Sequence, residues 1–206
     1  MNSSELYQTA CSYLGVLGEP DAQMLSLVQS CLDEALSLSR FRATSREYRE
    51  PLEFLRREPY AAFLSGCTGY ALVAMTLGTE VEKRIRQLML SDASRAVVLD
   101  ACASALVEYE GDRWEERFGE ERTYRFCPGY GGSSIEDIAV IFSQLSPERI
   151  GMQLLPSGLM APQKSMAGIV GIGKRKRKAC GECMLRASCV YLKEGKRCFR
   201  SENVSS

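Results

Sequence analysis

Tyr70-Ala71-Leu72-Val73-Ala74-Met75-Thr76-Leu77, almost unbroken in apolar character and fenced by Gly69 and Gly78, constrains the fold more than any other stretch of the chain. The run is short for a globular helix. A strand that is apolar at both odd and even positions has to be covered on both faces. The segment therefore predicts the central strand of a sheet with a layer of other elements on each side.

Around it, helices dominate the first two thirds. Tyr7 to Leu17 carries helical apolar spacing and stops at Gly18-Glu19-Pro20, and a stronger helix follows with Met24, Val28, Cys31 or Leu32, Ala35 and Leu38 on one face. Phe41 to Arg49 is polar and lacks a 3.6-residue period, which suits an exposed or edge strand. Thr79-Glu80-Val81-Glu82 has the form of a capping box, opening a helix through Val81, Ile85, Leu88 and Met89 to Leu90. The next helix starts near Ser91-Asp92 and runs toward Phe118, with Val97, Val98, Ala101, Cys102, Ala105 and Leu106 facing inward. Later, Met152 to Leu155 and Met166 to Ile172 read as two further strands. Strands and helices do not alternate regularly, so the order predicts an α+β fold and argues against a doubly wound parallel sheet.

Arg125-Phe126-Cys127-Pro128-Gly129-Tyr130-Gly131-Gly132 is the stretch with the clearest chemistry. Glycine allows positive φ and close backbone approach, proline fixes the entry to the turn, and Arg125 supplies a fork of donors that stays charged. Ser133-Ser134-Ile135-Glu136-Asp137 then places a serine three residues before an acid, and Ile138, Ala139, Ile141, Phe142 and Leu145 follow at helical spacing. The loop is thus expected to end on a helix N-terminus, where N–H groups favour an anionic group of a ligand.

Composition removes several function classes. Lys plus Arg and Asp plus Glu balance at 26 each, so no global field recruits nucleic acid or an acidic membrane. No apolar run approaches the length of a membrane span, and Met1-Asn2-Ser3-Ser4-Glu5 lacks a basic-then-apolar signal, so a cytoplasmic location is expected. The chain has no histidine, which excludes Ser-His-Asp and Cys-His catalysis, the usual zinc sites containing histidine, and an imidazole ligand to a corrinoid.

Nine cysteines, an odd number, fit metal or redox chemistry better than a disulfide framework. Cys11, Cys31, Cys67 and Cys102 lie among apolar neighbours and read as buried small hydrophobes. Cys127 lies in the glycine loop, where its backbone is expected to matter more than its thiol. After Gly173 the composition changes: Lys174-Arg175-Lys176-Arg177-Lys178 is followed by Cys180, Cys183, Cys189 and Cys198, with two, five and eight residues between successive cysteines. These four predict a thiolate metal site, an iron–sulfur cluster ahead of zinc because the spacing is irregular, with free thiols or a labile disulfide as the other outcome. Residues 1–173 are expected to form one domain and 174–206 a basic linker with a metal-binding tail.

The order of pieces from roughly residue 5 to 173 resembles the activation domain of cobalamin-dependent methionine synthase. The likeness is carried by Arg125 through Tyr130, the helix after it, Met160-Ala161-Pro162 with Lys164-Ser165 and the Gly-Ile strand, and upstream by Leu64-Ser65-Gly66-Cys67 and Thr76-Leu77-Gly78. The resemblance implies a mixed, mainly antiparallel sheet packed by helices, and S-adenosylmethionine held by Arg125 and the backbone of Cys127, with Gly129 in the same loop and Tyr130 bordering a corrinoid. An aromatic face also suits a sulfonium cation. Two positions depart from the family's pattern: Ser104 stands where a ligand-binding glutamate would align, and Val170 where an aromatic would. Glu108 and Glu116 are the acids available to stand in for the glutamate.

No cobalamin, homocysteine or folate module fits in this length, so a complete methionine synthase is excluded. The implied function is that of an accessory protein supporting reductive activation of a separate corrinoid or cobalamin-dependent methyltransferase protein, with cobalamin carried by that partner and an electron-transfer protein as a second partner. The alternative is a non-catalytic module that binds a corrinoid protein and carries structural zinc.

Overall fold

The structure, a computed structural model, describes residues 3–16 and 20–175, together with Lys193. Six α-helices and five strands are formed among them: α1 (Ser3–Tyr13), α2 (Ala22–Leu38), β1 (Arg42–Tyr48), α3 (Tyr60–Leu64), β2 (Gly69–Thr76), α4 (Thr79–Ser91), α5 (Ala93–Glu115), α6 (Asp137–Leu145), β3 (Gln153–Leu154), β4 (Met160–Ala161) and β5 (Ser165–Ile172). No helix among the described residues is long and apolar enough to cross a membrane.

The principal sheet has the order β1-β2-β5, and both pairings are antiparallel, Ser45 opposite Val73 and Val73 opposite Gly168 at its centre. The long apolar run is indeed its middle strand, and its two side-chain sets enter different cores. Ala71, Val73 and Met75 join α1, α2, α4 and α5 on one face. Tyr70, Leu72 and Ala74 join α6, Phe54, Tyr60 and Met152 on the other. The fold is α+β, as the element order predicts. The polar segment after Phe41 becomes the edge strand β1, and β3 pairs with β4 in a separate small hairpin.

Beyond β5 the chain from Arg122 to Phe126 runs alongside as a partial fourth strand. Phe126 and Ile169 exchange both backbone hydrogen bonds, at 2.8 and 2.9 Å, while the amide of Gly171 donates to the Thr123 hydroxyl at 2.8 Å. The register slips by one residue between its two bridges, Arg122 with Ile172 and Phe126 with Ile169, so no continuous ladder forms.

Several local expectations are corrected. The capping box at Thr79 does not form: Gly78, at φ 82°, takes the N-cap position, and Glu82 instead accepts from the backbone amide of Gln163 at 3.0 Å. Asp92 is the side-chain cap of α5, accepting from the Arg95 amide at 3.0 Å. Val97 and Met89 are exposed, since the 3.6-residue turn carries them off the faces that hold Val98 and Leu88. Cys11, Cys31 and Cys102 are buried as expected, whereas Cys67 is only partly covered. Cys180, Cys183, Cys189 and Cys198 lie outside the described residues.

Candidate functional site

The glycine loop is built outward from β5. A side chain at Gly168 would place its Cβ 2.8 Å from both the Phe126 carbonyl oxygen and Arg125 Cγ, so glycine in the strand is what admits the neighbouring segment. Arg125 then turns under α5 and is buried, its side chain 3% exposed. It donates through Nη2 to Glu108 Oε2 at 2.9 Å and to Asp112 Oδ1 at 3.3 Å, and through Nη1 to Glu115 Oε1. All three acids come from one face of α5, spaced by four and three residues.

Arg125 is therefore enclosed by the protein's own carboxylates, of which Glu108 and Asp112 face solvent in part. Three carboxylates against one guanidinium leave excess negative charge at the open end of this cluster. Burial pushes the Glu115 carboxyl up to about 7 against the opposing pull of Arg125, so the excess rests on the two more exposed acids. Partial desolvation, with Glu108 adding to it, pushes the phenol of Tyr13, at the end of α1, up to about 12.

Cys127, Gly129 and Tyr130 follow in a turn closed by the Tyr130 amide on the Cys127 carbonyl at 3.4 Å. Gly129, Gly131 and Gly132 all have positive φ, at 91°, 60° and 83°. The Tyr130 ring is 65% exposed and stands out from the loop. Ser133 does not cap α6. Its hydroxyl accepts from the Gly129 amide at 3.0 Å and donates to the Tyr130 carbonyl at 2.6 Å, tying the loop to itself. The N-terminus of α6 holds the protein's own Asp137, paired with Arg57 and with the Tyr60 hydroxyl, and the first amides of the helix are bonded to Ser134, Ile135 and Glu136, so the expected place for a ligand's anionic group is filled from within.

The two positions that depart from the family pattern have structural explanations here. Ser104 Oγ accepts from Lys164 Nζ at 2.9 Å, and Lys164 also pairs with Asp100 at 2.8 Å. Val170 is fully buried in the core beneath α5. Of the two acids considered as substitutes, Glu108 reaches the Arg125 cluster, whereas Glu116 lies in the exposed 3-10 turn after α5. Asp112 and Glu115 have no counterpart in the sequence reading. Their spacing from Glu108 along one predicted helix face is the signal that would have found them.

The open side of the cluster suits a cationic group, such as the sulfonium and ammonium of S-adenosylmethionine, and offers no unpaired cation for that ligand's carboxylate. It presents two partly open carboxylates with the exposed Tyr130 ring on the adjoining loop. The described residues contain no group of three or more His, Cys, Asp or Glu side chains arranged to hold a metal.

No known protein family pattern matches the chain, and no curated protein matches it. Among solved structures, the MetH reactivation domain with bound AdoHcy superimposes with a TM-score of 0.59, covering 95% of this chain and 83% of that one at 14% sequence identity. The chain thus has the fold of the MetH reactivation domain.

Proposed function

We propose that this protein is an accessory factor that binds S-adenosylmethionine between the glycine loop and α5 and supports reductive reactivation of a separate corrinoid-dependent methyltransferase protein. The observation that carries the reading is the seam itself: a loop with three positive-φ glycines and an exposed tyrosine, pinned by Arg125 to an acid-rich helix face, on a fold shared with a domain solved with AdoHcy. When bound, S-adenosylmethionine supplies a methyl group activated by its positive sulfur. Glu108 and Asp112 would hold the cationic end, the Cys127 and Gly129 backbone would approach the ligand, and Tyr130 would border the reacting face. Cobalamin would come with the partner, and Cys180, Cys183, Cys189 and Cys198 would pass or store an electron through an iron–sulfur cluster.

Titration calorimetry with S-adenosylmethionine and with AdoHcy tests the first half. One site per chain is expected, weakened about tenfold, or 1.4 kcal/mol, by Glu108→Gln. Absence of heat with either ligand would remove the ligand from the reading. Anaerobic iron, sulfide and zinc analysis tests the tail. Iron with sulfide supports electron transfer, whereas one zinc per chain makes the tail structural and favours a non-catalytic docking module.

A further inference from the structure

Lys164 stands apart from the Arg125 cluster and has no part in the proposed function. Its carbonyl accepts from the Leu77 amide at 3.0 Å, and the next residue, Ser165, pairs with Thr76 across the sheet, so the backbone that launches the side chain is fixed. Strand alternation carries Lys164, Met166 and Gly168 onto the face of β5 that meets α5. Met166 packs in the core beneath that helix, and Gly168 lies against Arg125. The helix is close there, since a Cβ at Gly111 would come within 2.9 Å of both Met166 Cε and Arg125 Nη1. The Lys164 side chain, 11% exposed, meets α5 ahead of the acids around Arg125: its Nζ is 2.8 Å from Asp100 Oδ1 and 2.9 Å from Ser104 Oγ.

Asp100, Ser104, Glu108 and Asp112 recur every four residues, so they form one polar strip along α5, and each is at least partly open to solvent. The strip meets two cations of unlike availability. Arg125 is bonded to three acids, Glu108, Asp112 and Glu115. An ammonium has three protons to donate; Lys164 gives one each to Asp100 and Ser104, and among the described residues the third has no partner. Asp100, about half exposed, offsets the charge of Lys164 only through solvent-screened contact. An anionic group arriving along the strip therefore finds its donor at Lys164, and without that cation it would meet only the like charges of Asp100, Glu108 and Asp112.

We infer that Lys164 is a specificity residue of the ligand site, taking the carboxylate of an amino-acid arm while Glu108 and Asp112 keep the sulfonium and ammonium. This rests on the reading of the glycine loop and α5 as the seat of an S-adenosyl ligand. In S-adenosylmethionine three saturated carbons separate the sulfur from the carboxylate, a reach of about 5 Å, and Ser104 stands one helix turn, about 5.4 Å of rise, from Glu108. The arm would lie along α5 with its sulfur toward the glycine loop and its carboxylate toward the start of β5.

The test is titration calorimetry on the full chain with S-adenosylmethionine and its decarboxylated analogue, which differ at the one group that Lys164 is assigned. Lys164→Met keeps the stem of the side chain and removes the charge. In that variant the advantage of S-adenosylmethionine over the decarboxylated analogue is expected to fall about tenfold, and Lys164→Arg to recover most of it. Asp100→Ala, a change at a half-exposed helix position, frees a second donor on Lys164 and is expected to raise the same advantage about threefold. Thermal denaturation checks that each variant is folded. A purely structural lysine would weaken both ligands equally, and an unchanged ratio in Lys164→Met and Asp100→Ala would overturn the inference. Binding of both probes with that unchanged ratio removes Lys164 alone from the site. If the wild-type chain binds neither probe, the S-adenosyl reading falls and the role of Lys164 falls with it.

Discussion

Glu115 and Arg125 are each 3% exposed at the side chain and bonded to one another, so neither ion is solvated by water. Burial raises the Glu115 carboxyl from an ordinary 4.5 to about 7 despite the guanidinium. A carboxyl raised on folding holds its proton more tightly in the native state, so its contribution to stability is complete below about pH 4.5 and is lost as pH rises toward 7. Glu115→Gln is therefore expected to flatten the stability profile between pH 4.5 and 7, measured by urea denaturation across that range. Arg125→Ala leaves the buried acid without its cation and is expected to destabilise by about 3–5 kcal/mol at pH 8, with a smaller loss at pH 5 where Glu115 is protonated. The importance of Arg125 was legible in the sequence, but its partners were not: a side chain that long reaches several faces of a neighbouring helix, and only packing selects one. The same limit applies to Ser133, whose spacing from Glu136 and Asp137 suggested a helix cap but whose hydroxyl closes the loop.

At the level of elements, β5 decides where the site stands. Gly168 lies against the carbonyl of Phe126, and an alanine there would press its Cβ to within 2.8 Å of that backbone oxygen, which unlike the tip of a long side chain cannot swing away. Gly168→Ala is expected to cost about 1–3 kcal/mol of stability, to expose the Phe126 and Ile169 amides to exchange, and to weaken S-adenosylmethionine binding by displacing Arg125. Protection of the β1–β2 ladder should persist, because that pairing lies on the far side of β2. Unchanged exchange at Phe126 would contradict this account of the glycine. Some of this was readable in advance. Tyr70 to Leu77 announced a strand covered twice because apolar residues fill both of its faces, whereas Met166–Ile172 was legible only as a strand. The partial strand from Arg122 to Phe126 was not readable, since its contacts are two bridges with a threonine hydroxyl in place of one amide bond, and no alternation marks so short a stretch.

For the whole molecule, β2 divides the interior into two cores, and among the described residues both are closed by side chains that precede Gly173. The helical core runs from Leu6 on α1 to Ile172 at the end of β5, and the second from Tyr48 to Ile169. At the boundary, the Gly173 amide donates to the Glu121 carbonyl at 2.7 Å and Lys174 Nζ to the Ser65 carbonyl at 2.7 Å, which anchors the start of the basic run on the fold. If the domain ends there, its stability is independent of any metal held by Cys180, Cys183, Cys189 and Cys198. Protein stripped of metal by a chelator, and a chain shortened to residues 1–175, should both unfold within about 2–4 °C of the intact protein, the shift that roughly 1 kcal/mol produces in a domain of this size. Both should keep their affinity for S-adenosylmethionine, because Glu108, Asp112, Arg125 and Tyr130 all belong to the retained part. Reductive reactivation of a corrinoid partner should fail in both if the cysteines carry the electron. Thermal denaturation and calorimetry on the same samples separate the cases. A core that melts when the metal is removed would mean that the thiol cluster helps to fold the domain, while intact reactivation by the shortened chain would move the electron's route elsewhere.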